Sequence, residues 1–143
     1  MENQCPKAKV MIVLHEVDRI VELKILSLYK RYQVTPTQYG VLEILYTKGQ
    51  LSIGELIKLM MATNGNMTVV IKNLIQREWI ARICDPHDKR SSLVMLTGKG
   101  KQLVETILPK HQVFVRELFS NLTPTELEQL TVLLQKMKEG IGE

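Results

Sequence analysis

The stretch Asp88-Lys89-Arg90-Ser91-Ser92-Leu93-Val94-Met95-Leu96-Thr97 carries more information about the fold than any other part of the chain. It begins inside a turn-forming cluster at residues 85–88, passes through two basic residues and continues as an apolar strand. Just upstream, residues 79–84 mix apolar and polar side chains in the manner of a partner strand. Two short strands joined by a charged loop that contains proline predict a β-hairpin whose tip carries Lys89 and Arg90.

Two short helical patterns precede this hairpin and are separated by a tight break. Ser52 and Glu55 have the spacing of a capping box, in which each side chain satisfies the backbone N–H of the other residue, so a helix begins there. This helix stops near Met61, and Thr63 can cap the next one. The order helix, turn, helix and basic hairpin predicts a winged helix-turn-helix, a fold that binds DNA.

The second short helix combines an apolar stripe with a polar face. The stripe contains Met67, Val70, Ile71 and Leu74. The residues left more exposed are Asn64, Asn66, Thr68, Lys72, Asn73 and Gln76. Asparagine can bond adenine through two hydrogen bonds, threonine can offer a hydroxyl or a methyl group, and lysine can reach guanine or phosphate. The face therefore predicts a major-groove reader, although an ordinary solvent-exposed face has the same composition and only the following hairpin favours DNA.

Long helices are predicted on both sides of this lobe. Apolar residues recur at helical spacing from about residue 8 to residue 32. Thr35-Pro36 and Thr123-Pro124 each place a threonine N-cap before a proline at the first helical position. Thr97 caps a helix that is expected to kink or break at Pro109. The predicted fold class is mostly α with a small β-hairpin wing, in one domain over residues 1–143 with a winged-helix lobe at about 35–100.

The charge of the chain is concentrated in one segment. The 143 residues include 45% hydrophobic and 24% charged residues, as in an ordinary globular protein, and the net charge is +4. Residues 72–101 contain seven Lys or Arg and three Asp or Glu, so this segment alone holds the whole surplus. A basic patch on a neutral chain indicates a phosphate-contacting surface, and a solvated basic face is the alternative. The longest N-terminal apolar run, residues 10–14, is too short to span a membrane, so a cytoplasmic protein without membrane association is expected.

The sequence contains no pattern of catalytic or metal-binding residues. No phosphate-binding loop or nucleophile elbow is present, which argues against an enzyme. Cys5 and Cys84 lack the CxxC spacing of a zinc or redox site. His15, His87 and His111 stand alone, without the paired spacing of a metal site. The sequence therefore predicts no enzymatic activity, no metal and no cofactor.

Three stretches of the chain together resemble one known family. Residues 35–42, Thr-Pro-Thr-Gln-Tyr-Gly-Val-Leu, are similar to that family's second helix. Residues 63–68 followed by Asn73-Leu74 are similar to its recognition helix. Its wing signature, an Asp, one residue, an Arg, five residues and Leu-Thr, is met by Asp88, Arg90 and Leu96-Thr97. The family is that of the MarR regulators, bacterial winged-helix repressors that bind DNA as dimers.

The resemblance implies roles for the residues of the wing. Arg90 resembles the wing-tip side chain that enters the minor groove, where a narrow A/T-rich groove concentrates negative potential. Asp88 is expected to orient Arg90 or the basic loop, and it is also a turn former after Pro86. Further contacts to phosphate or at the wing tip are expected from Arg77, Arg82, His87 and Lys89.

The resemblance also implies a homodimer on a pseudo-palindromic operator, joined through helices at about residues 8–32 and 101–143, and release of this repressor by a small aromatic effector. His15, Tyr29 and Tyr32 are candidates for the effector pocket, although two aromatic residues on one helix also suit the core. Oxidant sensing through Cys5 is an alternative. A second alternative is an architectural or interaction module that uses the same fold without reading DNA sequence.

Overall fold

The computed structural model describes residues 5–142. Its elements follow in the order α1 (Pro6–Lys30), α2 (Pro36–Lys48), β1 (Leu51–Ser52), α3 (Ile53–Met60), α4 (Asn64–Gln76), β2 (Ile80–Cys84), β3 (Ser92–Leu96), α5 (Gly98–Leu118) and α6 (Pro124–Ile141). The predicted succession of helix, turn, helix and hairpin is therefore confirmed, with α3 and α4 as the two short helices.

The helices α2 to α6 begin at the capping residues that the sequence indicated, whereas α1 begins after Cys5, which makes no side-chain capping hydrogen bond. In α2, α3 and α6 the N-cap side chain accepts from the N3 backbone N–H while the N3 side chain accepts from the N-cap backbone. At the start of α3, for example, the Ser52 N–H donates to the Glu55 carboxylate at 2.7 Å. Thr63 caps α4 by accepting from the Asn66 N–H. Each of these bonds satisfies a backbone group that has no partner inside its helix.

Three helices end in a way that the sequence did not indicate. Gln33, Met61 and Glu78 have left-handed backbone conformations, with φ of 55°, 50° and 61°. The next residue in each case donates its N–H to the carbonyl five positions back, at Tyr29, Ile57 and Leu74 respectively. This bond is the signature of a Schellman motif, whose left-handed position is usually glycine. Because none of the three is glycine, the sequence did not indicate their left-handed conformation, although the end of α3 near Met61 was predicted.

The wing is a hairpin inside a three-stranded antiparallel sheet of order β1-β3-β2. β2 and β3 pair from Ile80 opposite Leu96 to Cys84 opposite Ser92, which confirms the predicted hairpin. β1 was not predicted, and it pairs Leu51 with Val94 on the other side of β3. A strand of two residues is too short to show an alternating pattern, so only its position beside β3 reveals it.

The core lies among α2, α3, α4 and the sheet. Leu42, Leu56, Met67, Ile71 and Val94 are completely buried there. They come from α2, α3, α4 and β3, so burial of these apolar side chains holds the helix-turn-helix and the wing together.

The helix after the wing is longer than expected. Thr97 caps it as predicted, because its Oγ accepts the Gly100 N–H at 3.1 Å. Of the two predicted alternatives, a break at Pro109 is wrong, since α5 continues through this residue to Leu118, and a kink there stays a prediction. Proline removes one intrahelical hydrogen bond, the one that its own N–H would donate, and the turns on either side keep theirs.

The chain forms two compact units, of which the first reaches Pro109 and the second begins at Lys110. The first contains the elements from α1 to β3 and the start of α5, and among residues 5–142 it holds all of the buried hydrophobic residues. The second contains the end of α5 and α6, in which His111 and Phe114 pack ring to ring at a centroid distance of 6.4 Å.

Candidate nucleic-acid interface

α4 presents the polar face that its sequence indicated. Met67, Ile71 and Leu74 are completely buried on the opposite side. Five predicted DNA contacts are exposed: Asn64, Asn66, Thr68, Lys72 and Asn73. At about 100° per residue, these side chains cover roughly half of the helix circumference. The helix is therefore anchored along one side and free to enter a groove along the other.

The centre of this exposed face combines a charge with an apolar side chain. Helical spacing places Lys72 and Val69 near its middle. Val69 is 58% exposed although its side chain is purely apolar, and it was not among the predicted DNA contacts. The Thr68 hydroxyl donates to the Asn64 carbonyl at 2.8 Å. Its methyl group and the lone pairs of its oxygen are therefore the groups that remain available to a ligand. Apolar groups of this kind are suited to the thymine methyl group in the major groove.

The wing loop is organised by two aspartates. Asp88 accepts the Arg90 N–H at 2.9 Å through its carboxylate, and its backbone carbonyl accepts the Ser91 N–H. Asp85 accepts the His87 N–H at 2.9 Å and the Ser91 hydroxyl at 3.1 Å. The hydrogen bond from the His87 backbone is the main reason why the pKa of Asp85 lies below its usual value. Asp85 was predicted only as part of the turn, and this contribution to loop shape was missed.

The basic side chains of the wing point away from the core. His87, Lys89 and Arg90 are exposed at the loop, and Arg82 is exposed on β2. The two aspartates satisfy backbone N–H groups of the same loop, so the loop keeps a defined shape without covering these cations. A strand pair with a basic tip of this kind suits a groove lined by phosphates.

A second cluster joins α4, the wing and α5 at the base of the hairpin. The Thr97 hydroxyl donates to the Glu78 carbonyl at 2.6 Å, and the Thr97 N–H donates to the Trp79 carbonyl at 3.0 Å. Gly100 lies so close that a β-carbon there would stand 2.0 Å from the Trp79 carbonyl oxygen. The absence of a side chain at Gly100 is thus what allows α5 to approach the end of α4.

Arg77 differs from the other predicted DNA contacts because it is half-buried. Its guanidinium lies over the Trp79 ring, with 3.7 Å from Cζ to the ring centroid. Its Nη1 donates to the backbone carbonyl of Gln33 in the connection between α1 and α2. The guanidinium is therefore engaged within the protein, and its contact with phosphate stays a prediction.

The three residues predicted to line an effector pocket are not gathered in one place. Tyr29 is buried, and its ring packs on Tyr39 at a centroid distance of 4.7 Å. His15 is exposed on the same helix, fourteen residues earlier, which is about 21 Å along the helix axis. Tyr32 is half-buried beyond the end of α1. Within one protomer, His15 thus cannot share a small-molecule site with the two tyrosines.

An open cavity of about 430 Å³ lies elsewhere, beside the exposed face of α4. Its lining residues are Thr37, Met60, Ala62, Asn66, Val69 and Val70. None of the three predicted effector residues belongs to it, although two of its lining side chains lie on the face that is predicted to read DNA.

The two cysteines are free thiols at separate places. Cys5 is exposed at the N-cap of α1, and Cys84 is exposed at the end of β2. Oxidant sensing through Cys5 stays a prediction. Among residues 5–142, no three His, Cys, Asp or Glu side chains form a group suited to a metal ion. Over the same range, no helix is both long and apolar enough to cross a bilayer.

Comparison with known proteins agrees with this architecture. The MarR family model matches residues 34–92. The HTH-type transcriptional regulator YkoM of Bacillus subtilis is 38% identical, and the match covers 75% of this chain and 70% of YkoM. A mutant MarR from E. coli, solved in complex with operator DNA, is 27% identical with a TM-score of 0.83, covering 90% of this chain and 93% of that one.

A third relative is BpsR of Bordetella bronchiseptica, whose DNA binding is regulated by 6-hydroxynicotinic acid. It is 27% identical with a TM-score of 0.75, and the match covers 91% of this chain and 98% of BpsR. The two structural matches cover 90% and 91% of the chain, which is more than the winged-helix lobe alone. The chain therefore belongs to the MarR family of transcriptional regulators, which are not enzymes.

Proposed function

We propose that this protein is a cytoplasmic repressor that binds double-stranded DNA sequence-specifically as a homodimer and releases it when a small aromatic molecule binds. The observation that carries the proposal is the exposed polar face of α4, placed in the same compact unit as a basic wing. Recognition would use both grooves, with α4 in the major groove and Arg90 in the minor groove. A relative with 27% identity and the same fold binds operator DNA, which supports this use of the lobe.

Each predicted contact has a chemical task in this proposal. Asn64, Asn66 and Asn73 would read base edges, since an amide can donate and accept towards adenine. Thr68 and Lys72 would complete the major-groove face. Phosphate and wing-tip contacts would come from Arg77, Arg82, His87 and Lys89, with Asp88 holding the loop of Arg90.

The proposed dimer uses the apolar surface of the flanking helices. α1 exposes nine large hydrophobic side chains in the single chain: Val10, Met11, Ile12, Val13, Leu14, Val17, Ile20, Leu23 and Leu26. α6 exposes five more, from Val132 to Ile141. Surfaces of this size are unusual on a monomer and favour a second copy of the chain as the partner. Two copies related by a two-fold axis would place their wings on the two half-sites of a pseudo-palindrome.

The proposed effector is a small aromatic molecule, since DNA binding by the relative BpsR is regulated by 6-hydroxynicotinic acid. Such a ligand would release DNA only by binding the DNA-free arrangement of the dimer more tightly than the DNA-bound one. A screen of aromatic acids and phenols against the protein–DNA complex would identify it.

The deciding experiment is selection of duplexes by this protein from a random-sequence pool, followed by fluorescence anisotropy. The selected duplex is expected to be two-fold symmetric, with half-sites about one helical turn apart. Its affinity should exceed that of a scrambled duplex by about three orders of magnitude. Equal affinity for both duplexes would refute sequence-specific reading and favour an architectural module.

Two variants test the assigned grooves with the same selected duplex. Arg90→Ala is expected to weaken binding by about 1–3 kcal/mol and to relax the A/T preference under the wing. Lys72→Ala is expected to change base preference or to reduce the salt slope by about one. Lys48→Ala is the matched control, because Lys48 is exposed in the last turn of α2, outside the predicted DNA contacts and outside the helices proposed for the dimer. Wild-type behaviour of both test variants would remove these residues from the interface.

A further inference from the structure

We propose that Arg77 is a positioning residue, which ties the end of α1 to the recognition helix α4 and to the wing instead of contacting phosphate. The inference rests on the proposed DNA-binding function and assigns a different task to one residue of its predicted contact set. It follows from three features of the junction around Arg77: the engagement of its guanidinium, the backbone geometry on both sides, and the elements that meet there.

The guanidinium is held at two points. One face lies over the Trp79 ring, whose side chain is only 6% exposed, at 3.7 Å from Cζ to the ring centroid. The Nη1 atom donates to the Gln33 carbonyl, forty-four residues away in the sequence. Stacking on an aromatic ring and donation in the guanidinium plane are compatible, because they use the face and the edge of the same flat group.

The hydrogen bond from Arg77 to Gln33, called the tie below, has a residue with a left-handed backbone conformation at or beside each of its ends. Gln33 follows α1 with φ of 55°, and Glu78 follows α4 with φ of 61°. A carbonyl at such a helix end lies outside the helical hydrogen-bond ladder and needs a donor from elsewhere. Arg77 supplies this donor at Gln33. One side chain thereby fixes the end of α1 against the end of α4.

Trp79 passes this restraint on to the wing and to α5. It immediately precedes β2, and its carbonyl accepts the Thr97 N–H at the end of the hairpin. The start of α5 packs against the same carbonyl at Gly100. A displacement of the Arg77–Trp79 stack would therefore move the end of α4 and also the base of the wing, where β2 begins and β3 ends.

The position of the tie gives it a role in DNA binding. α1 carries the apolar surface proposed for the dimer, and α4 and the wing carry the surface proposed for DNA. Arg77 bridges these elements inside one protomer. Its loss should therefore weaken DNA binding through geometry, while the number of phosphate contacts stays the same.

The first test uses the intrinsic fluorescence of Trp79, which is the one tryptophan of the chain. We compare the DNA-free wild type with Arg77→Ala, Arg77→Lys and the control Lys48→Ala. Both Arg77 variants should change the Trp79 emission, because lysine keeps the charge but not the planar stack. The control should match the wild type. Wild-type emission from both Arg77 variants would overturn the stack.

The second test measures affinity for the selected duplex as a function of salt. Both Arg77 variants should bind about tenfold more weakly with an unchanged slope, whereas Lys72→Ala should reduce the slope by about one. Rescue by Arg77→Lys together with a reduced slope for Arg77→Ala would make Arg77 a phosphate contact and overturn the proposal. Where Arg77→Ala does not fold, Arg77→Lys decides, because it retains the aliphatic chain and the charge.

Hydrogen exchange separates failure of this inference from failure of the proposed function. If the wild type does not distinguish the selected from the scrambled duplex, the proposed function fails. The tie is then judged by amide exchange at residues 33–34 and 79–80. Faster exchange in both Arg77 variants, but not in Lys48→Ala, supports the contact of Arg77 with Gln33, and unchanged exchange overturns it.

Discussion

The Asp88 carboxylate accepts the backbone N–H of Arg90 at 2.9 Å, so the acidic residue of the wing loop shapes the backbone of the basic one. This relationship explains why a negative charge stands next to a surface proposed for phosphate. The carboxylate accepts a hydrogen bond from the Arg90 backbone and so stabilises the shape of the loop. This stabilisation offsets the electrostatic repulsion between the carboxylate and the DNA phosphates.

Replacing Asp88 with alanine separates these two effects. Removal of a negative charge alone would strengthen DNA binding, whereas loss of the Arg90 restraint should weaken it. We expect Asp88→Ala to bind the selected duplex about fivefold to tenfold more weakly, since one hydrogen bond contributes about 1 kcal/mol. Asp88→Asn keeps an oxygen acceptor and should bind at least as tightly as the wild type. Tighter binding by the alanine variant would contradict the role of Asp88 in the loop.

Gly100 should not tolerate a β-carbon. A methyl group there would stand 2.0 Å from the Trp79 carbonyl oxygen and 3.1 Å from the Leu96 side chain. Backbone must move to relieve this overlap, so Gly100→Ala should lower the free energy of unfolding by about 3 kcal/mol. Gly98→Ala is the matched control, because no atom lies within 4 Å of its β-carbon position. Chemical denaturation at one protein concentration measures both, and equal stability of the two variants would refute the close approach.

Glycine is expected to give a more stable fold than alanine at position 61, where the protein has Met61. It ends α3 with φ of 50°, and its side chain is 79% exposed. A left-handed conformation destabilises a residue with a β-carbon by about 1–2 kcal/mol, and glycine avoids this strain. Part of the gain is offset because glycine gives the unfolded chain more conformational freedom. Met61→Gly should therefore be about 1 kcal/mol more stable than Met61→Ala, which removes the same exposed side chain. Thermal unfolding of the pair tests this, and a more stable alanine variant would argue against the left-handed helix end.

The Tyr29–Tyr39 pair should make the fold sensitive to alkali. Burial is the main reason why the pKa of each phenol is raised above its usual value. A folded pKa above the unfolded value, about 10, means that the stabilisation is complete below pH 10 and is lost as the pH rises further. Each phenol should contribute a fall of up to about 1.4 kcal/mol per pH unit there.

Urea unfolding of the wild type and of Tyr29→Phe between pH 8 and pH 11 measures this effect. Phenylalanine keeps the ring that packs on Tyr39 but has no proton to lose. The variant should therefore lose stability less steeply than the wild type above pH 10. Parallel curves for the two proteins would show that Tyr29 does not titrate with unfolding.

Much of this fold was predictable because its decisive signals are local. The capping pairs Thr35–Gln38, Ser52–Glu55 and Thr123–Glu126 act over three residues, and each begins a helix. The apolar stripe of α4 specified its buried side, and by elimination its polar face. The turn residues between β2 and β3 likewise specified the hairpin, since aspartate accepts a hydrogen bond from the backbone two residues on and proline fixes its own φ.

The sequence by itself thus determined the order of the helices and of the two hairpin strands, the starts of α2 to α6 and the polar face of α4. Tertiary structure decided what depends on neighbours distant in the chain. Left-handed helix ends without glycine at Gln33 and Glu78 exist because the packed lobe holds them. Arg77 donates to the backbone carbonyl of Gln33, forty-four residues away in the sequence. The sequence around Arg77 therefore predicted only an exposed cation and did not reveal this acceptor. Hydrogen bonds within one turn are encoded locally, whereas such contacts form only once the core has brought the helix ends together.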